Sequence, residues 1–138
     1  MLKVLFFTVL GWMNALAPGR DHSELAWAVA VNATSEMEAA VFTAVAFRES
    51  SLRNGVTGDG GHSVCAFQIY DGQKALLADP LACVATGARM LRESKRVDPK
   101  NPIAFYARGP LWRGEEAQRI SRDRMALATK LVHMQPAV

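Results

Sequence analysis

Glu49 is the residue of this chain whose placement most invites chemistry. It follows a run of apolar and small residues that ends at Phe47. Beyond it the chain turns polar and glycine-rich through Gly58-Asp59-Gly60-Gly61, then apolar again at Cys65-Ala66-Phe67-Gln68. A carboxyl at the end of an apolar helix loses water, and desolvation raises its pKa by penalising the charged form. A carboxyl still protonated near neutrality is a general acid. Cleavage of a glycosidic bond needs such a group, to protonate the leaving oxygen while positive charge builds at the anomeric carbon. The neighbouring glycines let backbone approach an extended ligand closely. On charge placement alone, the competing reading is a helix-terminal Glu that is solvated or paired with Arg48 or Arg53.

The elements that must position this carboxyl are helical. Leu25, Ala28, Val29 and Ala33 mark an amphipathic helix with Asp21 or Ser23 as its cap. Ser35 and Glu38 then form an S-x-x-E capping box. It opens a helix in which Met37, Val41, Ala44, Val45 and Arg48 are expected to share a face, and which delivers Glu49 at its C-terminal end. Residues 54–61 read as turns and 63–70 as one strand of a small hairpin. Asp79-Pro80 places an N-cap and a first-turn proline before Leu81, Val84, Ala88 and Leu91. Asn101-Pro102 repeats the device before a short helix over 103–107, which Gly109-Pro110 stops. Ala117, Ile120, Arg124, Leu127 and Leu131 line one stripe of a last helix, apolar except at Arg124. The expected class is α+β, predominantly α-helical, with one small irregular β region.

At 138 residues, half of them apolar, the chain suits one domain with its own core. The formal charge of +3 comes from scattered Lys and Arg. A nucleic-acid partner needs a denser basic stripe and is not expected, although a mild attraction to an anionic polymer is. Residues 1–18 hold one Lys, an apolar run and the triplet Ala15-Leu16-Ala17. These suggest either a secretory signal, the preferred reading, or an N-terminal helix packed on the domain, which would then span 19–138. The run falls short of the roughly 20 apolar residues of a membrane span. Cys65 and Cys83 are the only cysteines, separated by turn and helix-start residues that allow the chain to double back. A disulfide is expected, the alternative being two buried thiols. No metal site is expected, because neither cysteine has a ligand-spaced partner and His22, His62 and His133 are dispersed.

Three strings in this order, Arg48-Glu49-Ser50, then Gly58-Asp59-Gly60-Gly61, then Cys65-Ala66-Phe67-Gln68-Ile69, resemble the catalytic region of the lysozyme-like superfamily. The likeness is to goose-type lysozymes and the SLT-type lytic transglycosylases. Phe105-Tyr106-Ala107-Arg108-Gly109-Pro110 is similar to the late A-Y-N-A-G-P turn of the transglycosylases at its Tyr, Gly and Pro. The resemblance spans about residues 20–130 and implies a lysozyme-like fold with the small β region beside an active-site cleft. It implies Glu49 as the catalytic acid, with Ser50, Gln68 and Tyr106 binding the saccharide and Tyr106 also reaching toward Glu49. Trp112 is a further candidate for stacking on a sugar, or a core residue. Cys65 and Ala66 depart from the usual Gly-Leu, a change that a Cys65–Cys83 bridge would account for, and Ala107 replaces the usual Asn.

Asp59 bears on the reaction type. Goose-type enzymes have an Asp at this place and many transglycosylases a Ser. An inverting hydrolase needs a second carboxylate about 6.5–9.5 Å from the acid to activate water. The competing role is an Asx turn that shapes the loop. The expectation is therefore a monomeric muramidase cutting the β-1,4 MurNAc–GlcNAc bond of peptidoglycan glycan strands, by hydrolysis in preference to transglycosylation, without cofactor. It would be exported, or delivered to the wall, for example by a phage. A catalytically silent wall-binding or assembly module is the alternative of a different class.

Overall fold

Helix α3 (Glu36–Ser50) forms the centre of the molecule, and its sequence explains why. Ser35 caps it, its Oγ accepting the Glu38 amide at 3.0 Å. Glu38 reaches back one residue further than in the expected box, accepting from the amide and hydroxyl of Thr34. Between the cap and Glu49 the helix carries small and apolar residues on all sides. Ala39, Ala40, Phe42, Thr43, Ala44, Val45 and Ala46 are all buried. The face expected from Met37, Val41, Ala44, Val45 and Arg48 is buried only in its middle, since Met37 and Arg48 are exposed. A helix surrounded by others buries every side of its middle, so its sequence loses the one-sided period that marks a surface helix.

A computed structural model of the chain describes residues 1–134. Around α3 pack α1 (Leu2–Leu16), α2 (Ser23–Asn32), α4 (Pro80–Val97) and α6 (Glu115–Val132), with the short α5 (Ala104–Arg108) lying against α4 and α6. The N-terminal segment is a helix whose Val9, Trp12 and Met13 are buried in the common core. The buried His22 ties its end to α2 through a 2.6 Å hydrogen bond from the ring to the Ala17 carbonyl. No helix among the described residues is long and apolar enough to cross a membrane. Asp79 caps α4 by accepting from the Ala82 amide at 3.0 Å, with Pro80 in the first turn, as its sequence indicates. Helix α5 begins at Ala104, so Pro102 lies before the helix rather than in its first turn.

The β region is smaller and more folded than one strand of a hairpin. Strands β1 (Thr57–Gly58), β2 (Ser63–Val64) and β3 (Ile69–Tyr70) form an antiparallel meander, with Thr57 opposite Val64 and Ser63 opposite Tyr70. The stretch read as one strand is therefore two, reversed through a turn in which Cys65 and Gln68 have positive φ. Local propensity could not show this reversal, because neither residue is a customary left-handed one. A disulfide joins Cys65 to Cys83 and so ties this turn to α4. Phe67, within the same turn, is buried over Gly87 of α4 and meets Phe42 of α3 edge to face at 6.3 Å. A Cβ on Gly87 would lie 2.8 Å from the Phe67 ring, so glycine is what allows the β region to sit this close to α4. The molecule is α+β and mostly helical, with a small three-stranded sheet.

Candidate active site

The C-terminal end of α3 opens into a cleft of about 690 Å³, the larger of two described. Its lining includes Glu49 from α3, Asp59, Ser63, Gln68 and Tyr70 from the β region, Met90 from α4 and Tyr106 from α5. Four of the five residues expected in a site (Glu49, Asp59, Gln68 and Tyr106) thus border one space, although they come from separate parts of the chain. Ser50 does not line it. Its hydroxyl donates to the Ala46 carbonyl and accepts from the Arg53 amide, finishing the helix.

Glu49 stays in place because α3 stops immediately after it. Ser51 and Leu52 both adopt left-handed φ, of 54° and 64°, and Leu52 turns back into the core. The Glu49 side chain keeps 28% of its exposure. Its carboxyl is held above the usual range mainly by burial, with the Asp59 charge adding to the rise and the Arg124 guanidinium opposing it. Arg124 Nη2 lies 3.7 Å from Glu49 Oε1, an ion pair longer than a hydrogen bond. The partner expected from sequence was Arg48 or Arg53. Arg48 turns away and pairs with Asp123 of α6 at 3.1 Å. Arg124 was visible as the one cation interrupting the apolar stripe of the last helix, but nothing local said which carboxyl it would meet.

Asp59 stands at φ 52° in a short 3-10 turn, and its Oδ2 accepts from the buried Ser63 hydroxyl at 2.6 Å. The side chain is thereby oriented while remaining exposed. Gln68, at φ 50°, donates from Nε2 to the carbonyls of Val56 and Cys65 at 3.2 and 2.9 Å. Those two bonds brace the meander and fix the amide, and among the described residues Oε1 has no hydrogen-bond partner. A Cβ on Gly58 would lie 2.4 Å from that oxygen, so a side chain there would displace the Gln68 amide.

Tyr106 borders the same cleft as Glu49, and its hydroxyl donates to the Phe67 carbonyl at 2.5 Å. The backbone amide of Tyr106 donates to the buried Ser94 hydroxyl at 2.9 Å. Burial, with the Glu49 charge second, pushes the phenol well above its ordinary range, so it stays neutral. The residue therefore clamps the β region onto α5 and offers its ring to the cleft. Trp112 does not border the space, and the Arg113 guanidinium covers its ring at 4.3 Å.

Tyr70 was missed. It is 64% exposed, lines the cleft, and has the His62 ring stacked on it at 5.8 Å. The signal was an aromatic two residues after Gln68, at the end of the β-prone stretch. An exposed aromatic with one face already covered is a platform for a flat apolar surface, such as one face of a pyranose ring. The arrangement as a whole brings a carboxyl with a raised pKa, a second carboxyl and an exposed aromatic to one cleft. No protein-family profile, curated protein or solved structure matches this chain.

Proposed function

We propose that the chain is a lysozyme-like muramidase that cleaves the β-1,4 MurNAc–GlcNAc bond of peptidoglycan. The observation that carries this reading is the placement of Glu49: a half-buried carboxyl with a raised pKa at the end of a central helix, bordering a cleft of about 690 Å³. The motif resemblance names the substrate, and the exposed Tyr70 and the free Oε1 of Gln68 are suited to a sugar face and a sugar hydroxyl or amide.

Two carboxyls bordering one cleft support hydrolysis as the preferred reaction. Glu49 gives its proton to the glycosidic oxygen as the bond to the anomeric carbon breaks. The Asp59 carboxylate, oriented by Ser63, takes a proton from a water whose oxygen adds to that carbon from the opposite face. The proton on Asp59 passes to solvent and Glu49 is reprotonated, so atoms and charge balance. One observation favours the alternative, a lytic transglycosylase. Asp59 sits at a left-handed turn position with one oxygen bound to Ser63, which is also what a loop-shaping aspartate does. In that case the sugar's own 6-hydroxyl attacks, and the product is an anhydro ring. The disulfide is compatible with an exported protein.

Product mass separates the readings. Digested peptidoglycan should carry reducing ends, and Asp59→Asn should lose most of the activity. Predominantly 1,6-anhydromuramic ends, lighter by one water, with Asp59→Asn still active, would establish transglycosylation. A folded chain that leaves purified walls turbid would instead indicate the silent wall-binding or assembly module.

A further inference from the structure

Arg119, Arg122 and Lys130 of α6 are exposed, whereas Arg124 is turned inward and keeps only 16% exposure. Its guanidinium is divided between two carboxyls. Nη1 donates to Asp123 at 2.9 Å, and Nη2 faces Glu49 at 3.7 Å. Its Nε is buried with no partner among the described residues. The same Asp123 oxygen, Oδ2, also accepts from Arg48 Nε at 3.1 Å. A chain of alternating charge, Arg48, Asp123, Arg124 and Glu49, thus links the end of α3 to the middle of α6.

A buried N–H without a partner destabilises a fold, and an apolar residue at this position of the stripe would avoid that. Stability by itself does not account for a guanidinium here. The charged and titratable groups acting on Glu49 are Arg124 from α6, Asp59 from the turn after β1 and Tyr106 from α5, while Arg108 of α5, which also borders the cleft, is paired with Glu116. Asp59 opposes the ionised form of Glu49, and Arg124 is the group among them that favours it. An acid that donates its proton becomes a carboxylate as the bond breaks. A cation already in place stabilises that charge without reorganising at the moment of reaction.

We propose that Arg124 is a positioning residue for Glu49: anchored by Asp123, it fixes the carboxyl in the cleft and stabilises the carboxylate left after proton donation. The proposal rests on reading Glu49 as the acid. It goes beyond that reading in assigning the alkaline limit of activity to a residue of α6.

Two measurements on the purified full chain test it: the pH dependence of kcat on peptidoglycan, and a substrate-free NMR titration of the Glu49 carboxyl carbon. In Arg124→Met the alkaline limb and the titration should both move to higher pH, with kcat lower by up to about 100-fold from lost positioning. Arg124→Lys keeps the charge and should bring the limb back toward wild type while recovering kcat only partly. Asp123→Asn removes the counter-charge of the guanidinium, so Glu49 should titrate lower. This arm remains decisive if Arg124→Met does not fold. A uniform loss of activity with the limb unmoved, or a Glu49 titration that ignores both Arg124→Met and Asp123→Asn, overturns the proposal. If wild type cleaves no wall while the titration still responds, the muramidase reading fails and the coupling of Arg124 to Glu49 stands.

Discussion

Helices α3 and α6 form the most extensive helix contact of the molecule, and neither has a residue at positive φ. Between Ser51 and Asp71, by contrast, stand all the described non-glycine residues at positive φ: Ser51, Leu52, Asp59, Cys65, Gln68 and Asp71. Each such residue costs on the order of 1–2 kcal/mol relative to the right-handed region. Strands two residues long cannot offset this through their own ladders. What holds the segment is cross-linking: the Cys65–Cys83 bridge, the Phe67 ring on α4, and the Tyr106 hydroxyl on the Phe67 carbonyl. The Asn54 amide adds bonds to the Leu76 and Leu77 carbonyls while its oxygen accepts from Ala66. The comparison teaches a division of labour. Regular helices fix Glu49, the proposed acid, and a strained segment fixed by side chains presents the other residues of the cleft.

The largest effect should come from the helical side. Glu49→Gln keeps the shape of the side chain and removes the donatable proton, so cleavage of peptidoglycan should fall by about 10²- to 10⁴-fold in a protein with an unchanged far-UV spectrum. Wild-type turnover by this variant would remove the acid from α3 and leave the comparison without its first half.

Next in size is the tie on the strained side. Replacing both Cys65 and Cys83 by Ser should lower stability by about 3 kcal/mol in denaturant melts. The helical signal at temperatures below the melt should be retained, because the bridge anchors the β region rather than the helix interfaces. An unchanged midpoint would mean that packing of Phe67 alone secures the segment.

The smallest effect sharpens the link between the two regions. Glu49 has a raised pKa in the folded chain, so the folded state holds its proton more tightly than the unfolded one. Its contribution to stability is fully present below the ordinary carboxyl value of about 4.5 and is lost as pH rises through the folded value. Glu49→Gln should accordingly match or exceed wild type in melting temperature at neutral pH, with the advantage shrinking as the pH is lowered toward 4. A wild type that gains on the variant as pH rises would mean that Arg124 outweighs burial.

The order of helices could be read from the chain because their signals are local. Ser35 and Asp79 cap by bonds to amides three residues on, and a proline in the first turn of α4 needs no distant partner. Glu49, Asp59, Gln68 and Tyr106 were legible as candidates because residue type, spacing and the resemblance pointed to them. Three features were not legible: the reversal at Cys65 to Gln68, the return of the Tyr106 hydroxyl to the Phe67 carbonyl, and the partner of Arg124. Each depends on a group far along the chain. Left-handed φ at Cys65 and Gln68 is unfavourable locally and persists through the bridge to α4 and the bonds to Val56 and Cys65. Likewise, an arginine in an apolar stripe signals that a counter-charge exists. Which carboxyl it meets was decided only when α6 packed on α3, because electrostatic pairing follows distance in space, and the sequence specifies that distance only through the whole core.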